Sequence, residues 1–384
     1  MRVALIDAGA YTPPYDDRLA AALAARGLDV TLLTAPFRFG EVPEPTGYRS
    51  EELFFPLSSG RFRRNPRSSA RAPLKGLEYL PSFLRARRRL ELLDPDVVHV
   101  QWLVRPDRDL RWLRSVAAKR PVVFTAHDLE GGLGRRREAW LRVLESVDRV
   151  IVHSRRGVEQ LAALGIPPAQ IARIPHPVFD SARGADGDGA RAGQTLLFFG
   201  LIRSYKGLDL LLRALPAVAR DRPDVRLVVA GDPLDPVEPL QALATELGVW
   251  ERIDWRLGFL PEAEVEQVLA DASVVVLPYR RRVDASGVLA LAVGHGLPIV
   301  ASDVGSLGET VEEFGAGEVV PPEDVDALAA ACVRLLRDDG RRAEAVRGAA
   351  RARAALTWDA SAREHEALYA EVVQERSRPD DSLP

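Results

Sequence analysis

The stretch Phe198-Phe199-Gly200-Leu201-Ile202-Arg203-Ser204-Tyr205-Lys206-Gly207 decides how the chain is read. An apolar strand ends at Gly200, a short loop carries two cations, and a helical pattern starts near Leu208. Glycine at a strand end lets an anion approach the backbone, and a helix opening behind it offers unpaired N–H groups. Arg203 and Lys206 add two positive charges to the same loop, enough to neutralise a polyanion without a metal. A lone Arg-x-x-Lys is equally what a solvated surface loop presents, so the pattern around it has to decide.

Outward from this stretch, short apolar runs alternate with Ala/Leu/Arg-rich helical patterns in both directions. Leu196–Phe199, Arg226–Ala230, Val274–Leu277 and Pro298–Ala301 read as strands after it. Val3–Ile6, Val30–Leu33, Val97–Val100, Val122–Thr125 and Val150–His153 read as strands before it, with helices such as Asp17–Arg26 and Arg135–Leu144 between them. Strands that are apolar throughout, each followed by a helix, imply parallel sheets covered on both faces. Ser181–Gly193, with four glycines, two aspartates and two arginines, reads as an exposed linker. The expectation is α/β, two Rossmann-like domains meeting at a cleft: residues 1–180 and 195–357. A long helical run, Val325–Leu356, closes the second. The helix after Trp358 (358–376) either ends the second domain or covers another surface, and the tail from Ser377 is expected to fray.

Composition narrows the class. A chain of 384 residues suits two α/β domains, and 47% apolar with 28% charged residues is a globular balance. The net charge of -3 argues against a nucleic-acid partner. One cysteine, Cys332, and no metal-ligand spacing exclude a disulfide framework and a usual zinc site. Met1–Asp7 is too short for a signal peptide, and no eighteen-residue apolar run follows; a cytoplasmic home is expected.

A second loop resembles the first in kind. Asp284-Ala285-Ser286-Gly287-Val288-Leu289 follows the strand ending at Pro278-Tyr279 and opens a helix through Leu291 to His295. Ser286 reads as its N-cap and Gly287 as a close-approach residue, which leaves backbone amides facing a ligand. Both loops fall at the carboxyl ends of parallel strands, where ligands of open α/β sheets bind.

Together with Ala230-Gly231-Asp232, Gly258-Phe259-Leu260, Gly296-Leu297-Pro298-Ile299-Val300-Ala301-Ser302 and Gly305-Ser306-Leu307-Gly308-Glu309, these motifs have the order and spacing of glycosyltransferase family 4. The likeness covers residues 195–340 strongly and the first 180 more loosely. It implies the GT-B fold, with two facing Rossmann-like domains and a last helix that crosses back to the N-terminal one. It also implies a retaining transferase whose nucleotide-diphosphate sugar is held by the C-terminal domain, with no cofactor and no metal. Arg203 and Lys206 then match the basic pair on the donor diphosphate, although the family more often places its arginine directly after Gly200. The backbone around Leu260 matches the loop at the nucleobase. Ser286, Gly287 and Val288 match the turn on phosphate and sugar. In the N-terminal half, the loop containing Gly9 (Asp7–Tyr11) matches one beneath the donor phosphate. His127, in Thr125-Ala126-His127-Asp128, matches a histidine on the donor sugar. Trp102 and Asp128 fall on the acceptor side.

One departure is clear. Many members carry two glutamates with seven residues between them, and counting back from Gly296-Leu297-Pro298 puts those positions at Val283 and Leu291. The chain resembles a variant branch with Ser-Gly-Val at this turn. Asp284 is the candidate replacement on the sugar, and Asp232 or Glu309 on the ribose. The missing pair keeps open a catalytically impaired nucleotide-sugar-binding protein, and a GT-B epimerase or phosphorylase is a further alternative. A dinucleotide oxidoreductase is disfavoured, because Asp7–Tyr11 lacks the three-glycine fingerprint.

Residues 61–89 hold ten Arg/Lys against one acid, Glu78, interleaved with Phe62, Leu77, Tyr79, Leu80, Phe83 and Leu84. Two readings stand: peripheral contact with an anionic membrane or anionic acceptor, and a solvated loop and helix face.

Overall fold

A computed structural model describes residues 1–39, 42–62, 68–179, 193–280 and 285–377, with 129–135 as backbone only. Asp284, Val283, most of the expected linker and residues 378–384 therefore lie outside the described residues. The chain divides into two compact units, Met1–Pro175 with the C-terminal residues from Trp358, and His176–Thr357.

The first unit runs β1 (Arg2–Asp7), α1 (Pro13–Ala25), β2 (Asp29–Thr34), β3 (Arg49–Glu52), α2 (Pro56–Gly60), α3 (Arg71–Leu93), β4 (Val97–Trp102), α4 (Pro106–Ala117), β5 (Val122–Thr125), α5 (Leu129–Leu144), β6 (Arg149–Val152), α6 (Arg155–Ala163) and β7 (Ile171–Arg173). The second runs β8 (Thr195–Phe199), α7 (Leu208–Asp221), β9 (Arg226–Gly231), α8 (Glu238–Glu246), β10 (Ile253–Leu257), α9 (Glu262–Asp271), β11 (Val274–Leu277), α10 (Gly287–Gly294), β12 (Ile299–Ser302), α11 (Gly305–Phe314), β13 (Gly317–Val320), α12 (Val325–Arg337) and α13 (Asp339–Ala355). The last helix, α14 (Trp358–Ser377), belongs to the first unit and packs on α1.

Both sheets are parallel throughout. Their orders are β3-β2-β1-β4-β5-β6-β7 and β10-β9-β8-β11-β12-β13. In each, the strand order reverses once, between β1 and β4 and between β8 and β11. Connections on either side of such a point leave in opposite directions and open a crevice at the carboxyl ends. The central strands explain themselves: Val3–Ile6 and Val274–Leu277 are buried at every position, as covered parallel strands must be.

Two expectations are corrected. The first helix starts at Pro13 rather than Asp17, because proline at the first helical positions needs no N–H partner. Val325–Leu356 is two helices: Asp338 leaves helical geometry (φ -100, ψ 101), and its carboxylate accepts from the Arg341 amide at 3.0 Å, capping α13.

α14 is fastened by both apolar and polar contacts. Ala362, Leu368, Tyr369 and Val372 are buried, each large one worth roughly 1.5–3 kcal/mol. Tyr369 Oη lies 2.6 Å from His99 Nδ1, and Arg149 pairs with Glu371 at 3.0 Å and Glu375 at 2.7 Å.

Candidate functional site

In the second unit the loops after β8 and β11 meet at the switch point. Gly200 has φ +98, and a Cβ there would come within 2.9 Å of Val288 Cγ2 and 3.1 Å of Lys206 Nζ. The strand end, the first turn of α10 and one ammonium thus converge on a single spot. Ser286 caps α10 by accepting from the Leu289 amide at 3.3 Å. Apart from its chain neighbours and the backbone of α10 itself, no described atom lies within 4 Å of where a Gly287 Cβ would stand. Among the described residues, Gly287 thus leaves space beside the first turn of α10, where a ligand can approach the backbone.

Lys206 does not project outward, as a loop cation usually does. It is 7% exposed, with Nζ 5.4 Å from the Tyr279 ring centroid, and it forms no salt bridge with a described residue. Burial, with a lesser contribution from the neighbouring Arg203 charge, pushes its amine down to about 8. Arg203 itself is exposed.

The loop between them is stapled from outside. The Ser204 amide donates to Asp235 Oδ2 at 2.7 Å. Arg280, just beyond β11, donates from its backbone to Tyr205 O at 2.8 Å and from Nη1 to Ser204 O at 2.9 Å. The same guanidinium grips Asp209 of α7 bidentately at 2.6 and 2.5 Å and reaches Glu323 at 3.1 Å. Sequence reasoning missed Arg280; its only signal was a cation at the end of an apolar strand.

The remaining expected residues spread around this point. Asp232 follows β9, and its carbonyl accepts from the Ile202 amide at 2.9 Å. Leu260 and Leu291 are half-buried and pack on the apolar core beside α10. Glu309 is buried within α11. Leucine at 291 thus puts an apolar side chain at a position where the family resemblance predicts a carboxylate.

In the first unit, Asp7 ends β1 and turns the chain: its carboxylate accepts from the amides of Gly9 (3.0 Å), Tyr11 (2.6 Å) and Thr12 (3.1 Å). Asp16 is buried against it. Burial, and then the charge of Asp7, hold Asp16 well above the usual carboxylate range, so the pair keeps a proton on Asp16. The Tyr11 ring covers Gly9.

His127 follows β5 with its ring buried in a polar–aromatic stack. It lies flat on Trp102 (5.1 Å, 12°) and edge-on to Tyr15 (5.0 Å, 85°). Trp102 in turn touches Tyr11 and donates from Nε1 to Thr12 Oγ1 at 2.8 Å. His127 Nε2 is 2.8 Å from Gln101 Oε1, and Nδ1 is 3.3 Å from His153 Nε2. His153 Nδ1 donates to the Ile174 carbonyl at 2.8 Å, which fixes that ring. Burial holds His153 down at about 4, so it stays neutral. Asp128, next along, is half-buried. Gln101 and His153 were not among the expected site residues; they matter because they fix the His127 ring.

Two parallel-sheet Rossmann-like halves, with ligand-ready loops at the switch points, define a protein of the GT-B class. Solved structures carry the same fold. Sucrose-phosphate synthase from Thermosynechococcus elongatus superposes with a TM-score of 0.74 over 98% of this chain and 100% of its own, at 21% identity. Anabaena HepE, solved with UDP, gives 0.71 over 97% and 100%, at 17% identity.

Sequence comparison sharpens the class. The profile "Glycosyltransferase Family 4" matches residues 17–181, and "Glycosyl transferases group 1" matches residues 193–338. The D-inositol 3-phosphate glycosyltransferase of Acidothermus cellulolyticus is 30% identical, across 94% of this chain and 86% of its own. A GDP-mannose-dependent alpha-(1-6)-phosphatidylinositol monomannoside mannosyltransferase of Mycolicibacterium smegmatis is 32% identical, across 73% and 78%. The chain belongs to glycosyltransferase family 4 and is a glycosyltransferase.

Proposed function

We propose that the protein transfers a sugar, with retention, from a nucleotide-diphosphate donor held by the second unit to a hydroxyl of its acceptor. The convergence of Gly200, Lys206 Nζ and the open first turn of α10 carries this reading. A buried ammonium with no salt bridge to a described residue, beside the first turn of a helix, suits a diphosphate. The donor class is further supported by relatives named for GDP-mannose and by HepE solved with UDP-glucose.

In the step, the bond from the anomeric carbon to the leaving phosphate oxygen breaks and the bond to the acceptor oxygen forms. The acceptor proton passes to the departing phosphate. Positive charge builds on the sugar and negative charge on the phosphate. Lys206, Arg203 and the amides of Gly287 and Val288 stabilise the leaving group, so no metal is required. By the family's pattern, His127 contacts the sugar and Gly9 the donor phosphate, with Trp102 and Asp128 on the acceptor side. Leu260 borders the base, and Asp232 or Glu309 takes the ribose in place of the carboxylate that Leu291 lacks. Product formation from a panel of nucleotide sugars, with and without EDTA, tests the reading. Turnover abolished by EDTA and restored by a divalent cation would remove the metal-free mechanism.

Leu291 favours a second reading, a nucleotide-sugar-binding protein impaired in transfer. Donor binding without product from any acceptor would select it. We also propose peripheral contact with anionic membrane through residues 61–89. Leu77, Leu80 and Leu84 are 77%, 67% and 49% exposed at helical spacing, next to exposed Arg85 and Arg88. Equal sedimentation with neutral and anionic vesicles would dismiss that contact. Among the described residues, no helix is long and apolar enough to cross a membrane.

A further inference from the structure

Thr12 is where the turn after β1 meets the aromatic stack on His127. Its amide donates to Asp7 Oδ2 at 3.1 Å, and its hydroxyl accepts from Trp102 Nε1 at 2.8 Å. An indole N–H can only donate, so the single hydroxyl hydrogen of Thr12 is left for Asp16 Oδ2, 3.5 Å away. Trp102 lies flat on His127 and tilted against Tyr11 at 5.4 Å. Stacking alone admits a range of offsets. The bond to Thr12 removes that freedom, because it ties Nε1 of the indole to one point.

The turn that carries Thr12 is itself held by a pair of carboxyl groups. Asp7 uses both of its oxygens on the amides of Gly9, Tyr11 and Thr12. These bonds keep Ala10 at φ +49, a left-handed conformation that its Cβ disfavours. Asp16 is buried, and its Oδ1 is shielded from solvent and meets no described hydrogen-bond donor. An ionised Asp16 would face Asp7 with little to compensate the repulsion. One proton on Asp16 turns that repulsion into a bond donated to Asp7, and burial, then the Asp7 charge, favours this form.

The surroundings leave the proton on Asp16. On α1, Asp17 accepts from Tyr48 Oη at 2.7 Å, and burial pushes Tyr15 up. Tyr11 in the turn, Tyr48 beside β3 and Tyr369 on α14 are raised in the same way. The cations on this side are Lys75 of α3, which feels Asp7, and Arg71 and Arg38, which feel Tyr11.

We propose that Thr12 and Asp16 are positioning residues for the transfer: Thr12 pins the Trp102 indole against His127, and Asp16 holds the Thr12 hydroxyl in the orientation that does so. The inference rests on reading His127 as the histidine on the donor sugar. It deepens that reading by naming the groups that set the plane of its ring. Asp16 works as the neutral acid. When it loses its proton, two charges meet at the turn, Thr12 shifts and the indole is released.

The test labels the indole nitrogens of the six tryptophans in the full chain with nitrogen-15. It follows the Trp102 Nε1–H resonance, assigned by its absence in Trp102→Phe. Thr12→Val keeps the shape but not the hydroxyl and should move that resonance, whereas Thr12→Ser should leave it near the parent's. Nucleotide release from UDP-glucose and GDP-mannose should fall about tenfold in kcat for Thr12→Val, with KM within about twofold, and Thr12→Ser should restore most of it. As pH rises through the range where Asp16 ionises, the parent's kcat should fall while its Trp102 resonance moves. Asp16→Asn keeps a neutral donor and acceptor in place and should show neither change. A Trp102 resonance unmoved in Thr12→Val, or a pH response that persists in Asp16→Asn, overturns the inference. His127→Ala separates it from the reading beneath it. Release lost in His127→Ala but kept in Thr12→Val overturns the positioning role alone, and release kept in both overturns the role of His127.

Discussion

Lys206→Met deletes the ammonium while keeping most of the apolar stem, and it separates stability from activity. In the folded protein the amine lies at about 8 instead of 10.5, mainly through burial. At ~1.36 kcal/mol per tenfold, that difference is on the order of 3 kcal/mol of stability given up to keep the charge in place. The sign follows from proton binding. The folded state holds this proton less tightly than the unfolded chain, so the penalty is fully present below about pH 8. It is relieved as pH rises from about 8 towards 10.5. Lys206→Met is therefore expected to be more stable than the parent at pH 7, by roughly 1–3 kcal/mol, with the gain shrinking by pH 9.5. Turnover should fall by about a hundredfold or more, the 2–4 kcal/mol typical of one lost electrostatic contact to a leaving group. Urea unfolding at the two pH values and initial rates on the donor panel measure both quantities. A variant destabilised at pH 7, or active within a few-fold of the parent, would refute the account of Lys206.

Gly207→Ala should destabilise by about 2 kcal/mol or more on chemical unfolding: φ is +70 and the new Cβ would lie 2.0 Å from Pro278 O. Stability equal to the parent's would show that the loop is not held this tightly. Arg280→Gln removes the fork on Asp209 and the grip on Ser204 O, so kcat/KM should drop about tenfold with an unfolding cost near 1 kcal/mol. Arg280→Lys, which lacks the fork, should recover little, and full recovery would argue that charge alone matters. Tyr369→Phe leaves His99 Nδ1 without its partner and should cost about 1–3 kcal/mol. An unchanged thermal midpoint would remove that bond from the reasons α14 stays on the first unit.

What was legible in the sequence follows from what is buried on two sides. Central strands such as Val3–Ile6 and Val274–Leu277 announce themselves because every position is covered. The strands that went unread lie mainly at or beside the edges of the sheets. β3 is Arg-Ser-Glu-Glu and almost wholly exposed, β10 is Ile-Asp-Trp-Arg-Leu, and both occupy sheet edges where charge is tolerated and apolar pattern is not needed. The break at Asp338 was hidden because Val325–Arg337 and Asp339–Ala355 are both Ala/Arg-rich, and only an N-cap separates them.

The site divides along the same line. Gly200, Lys206, Ser286 and Gly287 stood out because each sits in a short local motif whose geometry the backbone dictates. Arg280 reaches Asp209 across 71 positions of sequence and His127 meets Gln101 and His153 across 26 each, and such pairs leave no local trace. Charge shows the same limit. The basic run at 61–89 was visible as composition, yet ten cations in a run do not distinguish a solvated face from a site. Arg85 and Arg88 are exposed, whereas Lys75 lies over the Phe55 ring and Arg71 Nε is shielded from solvent. Burial of a cation such as Lys206 is a property of the packed loops rather than of any one segment.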